Sequence, residues 1–389
     1  MASRGGALVL IVLWSLLQLG AAKTKPLVPA MFVFGDSLVD VGNNNQLAKC
    51  NVTCQANYQP FGVDYPPCHS PTGRFSNGYN LADQLAQLLG FDESPPAFLS
   101  PSNASASRRT STGINFASGG SGLLPTTGSQ FVRARARACL LIDANTHPCV
   151  YPGSVLCVQC GEVFTMAEQV GNFTSLVRSS GRKDRTAADL VSESLIFISV
   201  GSNDLFEYAD YITKANISSS NRNDTEYLQG LIASYTSYIK ELYAAGATKF
   251  GVLSPSLVGC CPLQRALAKE FNGSDQFGCL GVANNLSQQL YPMIASMLQD
   301  LSMELPDMSY SLGDAIGMAG FVFKSTRDFG ENVCNSSAPL CQNRSSFFFW
   351  DRFHPTDAVS AITANELFQG PAGRFVHPIN VHQLMAPQP

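Results

Sequence analysis

Four short polar segments carry the side-chain types that nucleophilic acyl chemistry needs. They are Gly35-Asp36-Ser37-Leu38, Gly119-Gly120-Ser121-Gly122, Gly201-Ser202-Asn203-Asp204 and Asp351-Arg352-Phe353-His354. A serine hydroxyl becomes an effective nucleophile only when a base takes its proton. The chain has five histidines, His69, His147, His354, His377 and His382. His354 alone has a carboxylate at close spacing: Asp351, three residues earlier. An aspartate there can accept the imidazole N–H, fix the tautomer and stabilise the imidazolium. His377 and His382 fall in a tail where little structure is expected, and His69 in a loop rich in Cys and Pro. Attack on a carbonyl leaves an oxyanion, and each donor aimed at it commonly contributes ~10²–10³-fold in rate. The Ser37 backbone N–H, a glycine N–H from residues 119–122 and the Asn203 amide are the candidate donors. Glycine lets a backbone N–H approach a substrate closely. Asp36 and Asp204 read as loop-stabilising acceptors rather than catalytic acids. Taken singly, each motif is common in turns, loops or helix caps; their combination in one chain is far more specific.

The elements around these segments place them at one edge. Residues 30–34 and 195–200 are continuous apolar runs stopped by Gly35 and Gly201, the pattern of strands buried on both faces. A further strand is predicted over 249–253 and a short one over 308–311. Helical spacing covers 79–89 (Leu81, Leu85, Leu88 and Leu89, ended by Gly90), 225–245 (ended by Gly246), and 279–303 with a kink expected at Pro292. A short helix is predicted over 314–323 and a last one over 356–368, with Pro355 in its first turn. Residues 95–112 read as a loop. Strands alternating with helices imply a parallel sheet covered on both faces, a single α/β/α domain over residues 23–389 with no internal repeat. In such sheets ligands gather at the carboxyl ends of the strands, which is where three of the four polar segments fall.

The blocks are similar to those of the GDSL lipase/esterase group of the SGNH hydrolases, its plant-type branch in particular. Residues 34–45, from Phe34-Gly35-Asp36-Ser37-Leu38 to Asn43-Asn44-Asn45, look like the block that carries the nucleophilic serine. Residues 115–122 look like the second block, with the oxyanion glycine at Gly120 or, as the near alternative, Gly119. Residues 200–204 look like the third, with Asn203 as the oxyanion amide. Residues 349–356 resemble the last, with Asp351 as the acid and His354 as the base. Pro71-Thr72-Gly73-Arg74-Phe75-Ser76-Asn77-Gly78 also matches the plant branch, without a catalytic role assigned. The resemblance spans roughly residues 28–370. It implies a flavodoxin-like α/β/α fold and hydrolysis of carboxylic esters (lipid or other acyl esters) through an acyl-enzyme, with no metal or organic cofactor.

Composition sets the remaining bounds. Hydrophobic residues make up 45% of the 389 and charged residues 14%, so the chain can bury a sizeable core and does not read as disordered. The net charge of −4 and the absence of a basic block beyond Arg133, Arg135 and Arg137 argue against nucleic acid as a partner. Arg4, the apolar run at 7–19 and the small residues Gly20-Ala21-Ala22 read as a signal peptide over 1–22. The run is shorter than a bilayer span needs, so a lasting membrane anchor is not expected. Secretion agrees with nine glycosylation sequons, at Asn51, Asn103, Asn172, Asn216, Asn223, Asn272, Asn285, Asn335 and Asn343, and with twelve cysteines. Cys334 with Cys341, and Cys260 or Cys261 with Cys279, are at spacings that permit pairing.

Residues 129–164 stand apart, with four cysteines and no periodicity. Three readings are open: a disulfide-bearing surface loop, translated intron sequence, or a metal knuckle of Cys157 and Cys160 with His147 or Cys149. A genuine insert there would bear on packing near Gly120. Two alternatives to hydrolysis also stand. An acyltransferase would use the same triad and pass the acyl group to an alcohol, and a secreted binding protein would lack catalysis. Residue types do not specify acyl chain length or oligomeric state.

Overall fold

The computed structural model describes residues 25–66, 68–101, 112–128, 160–179, 187–325 and 340–386. The predicted signal peptide, His147, Cys149, Cys157, Cys334, Asn103 and Asn335 lie outside these residues.

In chain order the main elements are β1 (Met31–Gly35), α1 (Leu81–Leu88), β2 (Gly113–Asn115), α2 (Met166–Ser179), α3 (Ala187–Glu193), β3 (Leu195–Ser199) and α4 (Ser202–Lys214). There follow α5 (Asp224–Ala244), β4 (Lys249–Leu253), α6 (Pro262–Glu270), α7 (Gly281–Glu304), β5 (Ser309–Gly313), α8 (Ala315–Ser325), α9 (Asp357–Gln369), β6 (Val376–Pro378) and α10 (Val381–Met385). The six strands form one sheet in the order β2-β1-β3-β4-β5-β6. Its first five strands are parallel, and β6 joins β5 antiparallel.

Side chains alternate across each strand and feed two cores. Phe32, Phe34, Ile196 and Ile198 point to a core made with α2, α4, α5 and α7. Met31, Val33, Leu195 and Phe197 point to the opposite one, made with α1, α8, α9 and α10. Every residue of β1 and β3 is buried, as expected of parallel strands covered on both faces. Phe34 stacks on Phe116 with ring centroids 5.2 Å apart, and Phe173 of α2 meets both edge-on. The chain thus has a three-layer α/β/α architecture.

The strand ends are level. Gly35 pairs with Ser199, and Leu253 with Gly313, so the carboxyl ends of β1, β3, β4 and β5 form one rim. Gly35 is dictated by this register: at φ 141°, a Cβ would sit 1.9 Å from the Ser199 carbonyl oxygen. No other residue lets β1 turn abruptly into Asp36 and Ser37 at that point.

Several expectations are corrected here. The last helix begins at Asp357 with Thr356 as its N-cap, so Pro355 lies before it rather than in its first turn. The tail is not structureless: His377 belongs to β6, and His382 to α10, which carries its own capping box from Asn380. Both elements complete the core beside β5 through Val376, Val381 and Leu384. The end of the 129–164 segment is built into the fold. Cys160 is disulfide-bonded to Cys54, Gly161 bridges to Cys50, and Val163 and Phe164 are buried. A cysteine held in a disulfide is not available to a metal knuckle, which removes Cys160 from that reading. The second described disulfide joins Cys260 to Cys279, leaving Cys261 a buried thiol.

Candidate active site

Ser37 stands in the turn after β1, half-buried at the rim. The turn is closed by Val39 and Asp40 backbone N–H groups donating to the Asp36 carbonyl (3.2 and 3.1 Å). Its Oγ is 2.7 Å from His354 Nε2. His354 Nδ1 lies 2.7 Å from Asp351 Oδ2 and 2.9 Å from Oδ1. Oδ1 also accepts the backbone N–H groups of Phe353 (2.8 Å) and His354 (2.7 Å). Burial would push the Asp351 carboxyl up, but the facing imidazole and these donors outweigh it and hold the group below its ordinary range. The aspartate is therefore ionised beside the ring.

The loop that carries His354 is closed on itself. Trp350 N–H donates to the His354 carbonyl (2.8 Å), and Thr356 N–H to that of Phe348 (2.9 Å). Trp350 is fully buried, and the Phe75 ring packs on the imidazole at 4.9 Å between centroids. Phe75 comes from the 71–78 segment. Asn77 of the same segment donates to Asp357 Oδ1 (2.9 Å) and accepts the Asp357 N–H (2.9 Å) at the start of α9. Arg74 makes a two-pronged pair with Asp83 (2.6 and 2.8 Å), itself half of the α1 capping box. The segment is thus a brace between α1 and the His354 loop.

The oxyanion candidates converge on the same rim. Gly119 and Gly120 are alternatives on sequence, and the hydrogen bonds separate them. Gly119 N–H donates to Asp40 Oδ2 (3.0 Å), whereas Gly120 N–H and Ser37 N–H have no acceptor among the described residues. Gly120 has φ 84° and backs directly onto the Cys54–Cys160 disulfide: a Cβ there would meet Cys160 Sγ at 2.6 Å. Asn203, in the first turn of α4, gives one amide hydrogen to the Ser121 carbonyl (2.8 Å). That bond orients the amide and leaves a second N–H for another acceptor. Ser37, Gly120, Asn203 and His354 all border one cavity of about 550 Å³.

Behind these groups lie supporting residues, most of whose roles sequence reasoning missed. Asp40 accepts four backbone N–H groups, from Gly42, Asn43, Asn44 and Gly119, and burial raises it to about 6. Asn44 donates to the carbonyls of Cys54 (2.8 Å) and Gly119 (2.9 Å), and Asn43 to those of Asn115 and Ala117. Gln169 of α2 brackets Gly35, accepting its N–H and donating to its carbonyl, both at 2.9 Å. Asp204 takes Leu123 N–H, Leu124 N–H and the Thr127 hydroxyl, the loop-holding part expected of it. Asp36 accepts Leu38 N–H, and burial raises it to about 7. Asp36 and Asp204 are read from the sequence as loop-stabilising acceptors; Asp40, Asn43-Asn44 and Arg74-to-Asn77 are visible there as parts of blocks without roles of their own, and Gln169 carries no signal.

His69 is exposed and away from the cavity lining. Among the described residues no cluster of His, Cys, Asp and Glu could hold a metal. Of the sequons within the described residues, Asn51, Asn216, Asn223, Asn272, Asn285 and Asn343 are exposed and Asn172 is half-buried. Among the same residues no helix is long and apolar enough to cross a membrane.

A family model described as GDSL-like lipase/acylhydrolase matches residues 31–367. Three Arabidopsis thaliana proteins named GDSL esterase/lipase are similar over nearly the whole chain. One is 29% identical over 399 residues, spanning 98% of this chain and 99% of its own. A second is 31% identical, spanning 96% and 97%, and a third 31% identical, spanning 92% and 86%.

Proposed function

Because the chain belongs to the GDSL-like lipase/acylhydrolase family and is a carboxylic ester hydrolase, we propose that it works through an acyl-enzyme on Ser37. His354 Nε2 takes the hydroxyl proton as Ser37 Oγ attacks the ester carbonyl. Asp351 keeps the proton on Nδ1 and stabilises the imidazolium. The oxyanion is received by Ser37 N–H, Gly120 N–H and the second amide hydrogen of Asn203. His354 then returns its proton to the alkoxide oxygen as the tetrahedral intermediate collapses. Water, activated by the same imidazole, releases the acid and restores Ser37.

The observation that carries this reading is the Ser37–His354–Asp351 chain of hydrogen bonds, 2.7 Å at each link, opening on the cavity. No step calls on a metal or organic cofactor. We further propose that the chain is exported, with residues 1–22 removed and the exposed sequons available for glycosylation. The test is fluorophosphonate labelling of the secreted protein and of Ser37→Ala, with an acyl ester assay alongside. Labelling and turnover that both vanish in a folded Ser37→Ala protein are expected; turnover that persists would overturn the assignment. Repeating the assay with an added alcohol and analysing products distinguishes hydrolysis from acyl transfer.

A further inference from the structure

The cavity at Ser37 is walled by helices from both faces of the sheet, and the two walls differ in chemistry. On one side α8 presents Ala315, Met318, Ala319 and Val322. Their spacing of three, four and seven residues is that of a single helix face. Ala319 and Val322 pack with Phe348 and Val359, which line the same end of the cavity. On the other side the wall is mixed: α4 and α6 present Glu207, Asp210 and Gln264 beside Phe206 and Leu263. Asp210 is bonded to Gln264 Nε2 (2.8 Å) and Lys214 (2.9 Å), and the buried Gln264 Oε1 has no partner among the described residues.

Resting on the esterase reading, we propose that the α8 wall is an acyl-chain site and that Ala319 and Val322 gauge the length of chain admitted. An alkyl chain laid along α4 and α6 would cover acceptors without replacing their hydrogen bonds, which is unfavourable. The same chain laid along α8 removes apolar surface from water on both partners. From Ala315 to Val322 the helix rises about 10 Å, the extended length of about eight methylenes. Ala319 leaves room that a larger side chain would fill. The site therefore suits medium-length acyl esters better than acetyl or palmitoyl ones.

The experiment measures kcat/KM for p-nitrophenyl acetate, octanoate and palmitate with the wild type, Ala319→Phe and Val322→Ala, each checked for folding by thermal melt. The wild type should prefer octanoate. In Ala319→Phe the octanoate-to-acetate ratio should fall at least about tenfold, since a few methylenes in an apolar pocket discriminate by about that much. In Val322→Ala the palmitate-to-octanoate ratio should rise. Ratios within about twofold of the wild type in both folded variants, with fluorophosphonate labelling of Ser37 intact, would overturn the acyl site alone. Absence of labelling and of all ester hydrolysis in the wild type would overturn the esterase mechanism and this site with it.

Discussion

Replacing Asp351 with asparagine tests whether the carboxylate sets the imidazole tautomer, and the structure fixes which way the new amide must face. Asp351 Oδ1 accepts two backbone N–H groups, from Phe353 at 2.8 Å and His354 at 2.7 Å. An amide nitrogen at that position would leave both donors unmatched in a half-buried loop. The oxygen of the new amide therefore takes the Oδ1 place, and its NH₂ takes that of Oδ2, 2.7 Å from His354 Nδ1. Two N–H groups cannot point at one another across that distance. The ring answers by leaving Nδ1 bare and carrying its proton on Nε2, which faces Ser37 Oγ at 2.7 Å. A protonated Nε2 cannot act as base, and the expected loss is about 10⁴-fold in kcat with KM little changed, the scale of a wrong-tautomer triad. The assay is steady-state hydrolysis of a soluble acyl ester with the rate of fluorophosphonate labelling beside it; both should fall together. Asp351→Asn with more than about a tenth of wild-type kcat, in a protein that melts normally, would refute the argument that Asp351 acts through the tautomer.

Two further perturbations follow from groups outside the triad. Burial raises the carboxyls of Asp36 and Glu207 to about 7 and of Asp40 to about 6. Between about pH 4 and 7 the folded chain then holds protons that the unfolded chain has released, so these groups lose stability as pH rises. Asp351, held below its ordinary range, works in the opposite sense and costs stability only below about pH 4. The melting temperature should therefore be higher at pH 5.5 than at pH 8, and Glu207→Gln should flatten that slope; an unchanged slope would argue against a protonated Glu207. The Cys54–Cys160 disulfide closes a loop across 106 positions and lies directly behind Gly120. Cys160→Ser should cost about 2–4 kcal/mol of stability in urea unfolding, and lower kcat more than it raises KM, because the Gly120 N–H loses its backing.

Local chemistry was legible in the sequence, and long-range support was not. Ser37, Asn203 and the Asp351–His354 pair sit in contiguous segments, because the turn after a buried strand and a three-residue return to an imidazole are both local geometry. The strand at 249–253 and the helix around 225–245 were legible for the same reason: burial on both faces and helical spacing leave periodic marks. Asn44, Gln169 and Asn77 were not, since their partners lie 75, 134 and 280 positions away. No spacing rule relates a buried amide to a carbonyl on another element. The choice between Gly119 and Gly120 also needed three dimensions, because only the placement of Asp40 shows which N–H is already engaged. The tail was misjudged because β6 pairs through three residues and α10 has five, too few for a period to declare itself.

The brace formed by residues 74–77 explains how Ser37 and His354, the proposed nucleophile and base, keep hydrogen-bond distance across 317 positions. The sheet fixes Ser37, because β1 is held on both sides by β2 and β3. It does not fix His354, whose loop precedes α9 and belongs to no strand. Asn77 clamps the start of α9, Phe75 covers the imidazole, and Arg74 ties both to α1 through Asp83. Asn80, the N-cap of α1, donates in turn to the Asp40 carbonyl at 2.8 Å, three residues after Ser37. A path of ring packing and hydrogen bonds therefore runs from the imidazole through residues 74–83 to the turn that holds Ser37. Such a path predisposes the imidazole to one orientation before substrate arrives, which is the condition under which electrostatic preorganisation lowers a barrier. On the proposed mechanism the Arg74-to-Asn77 run positions the base, though none of its side chains needs to touch the reacting atoms.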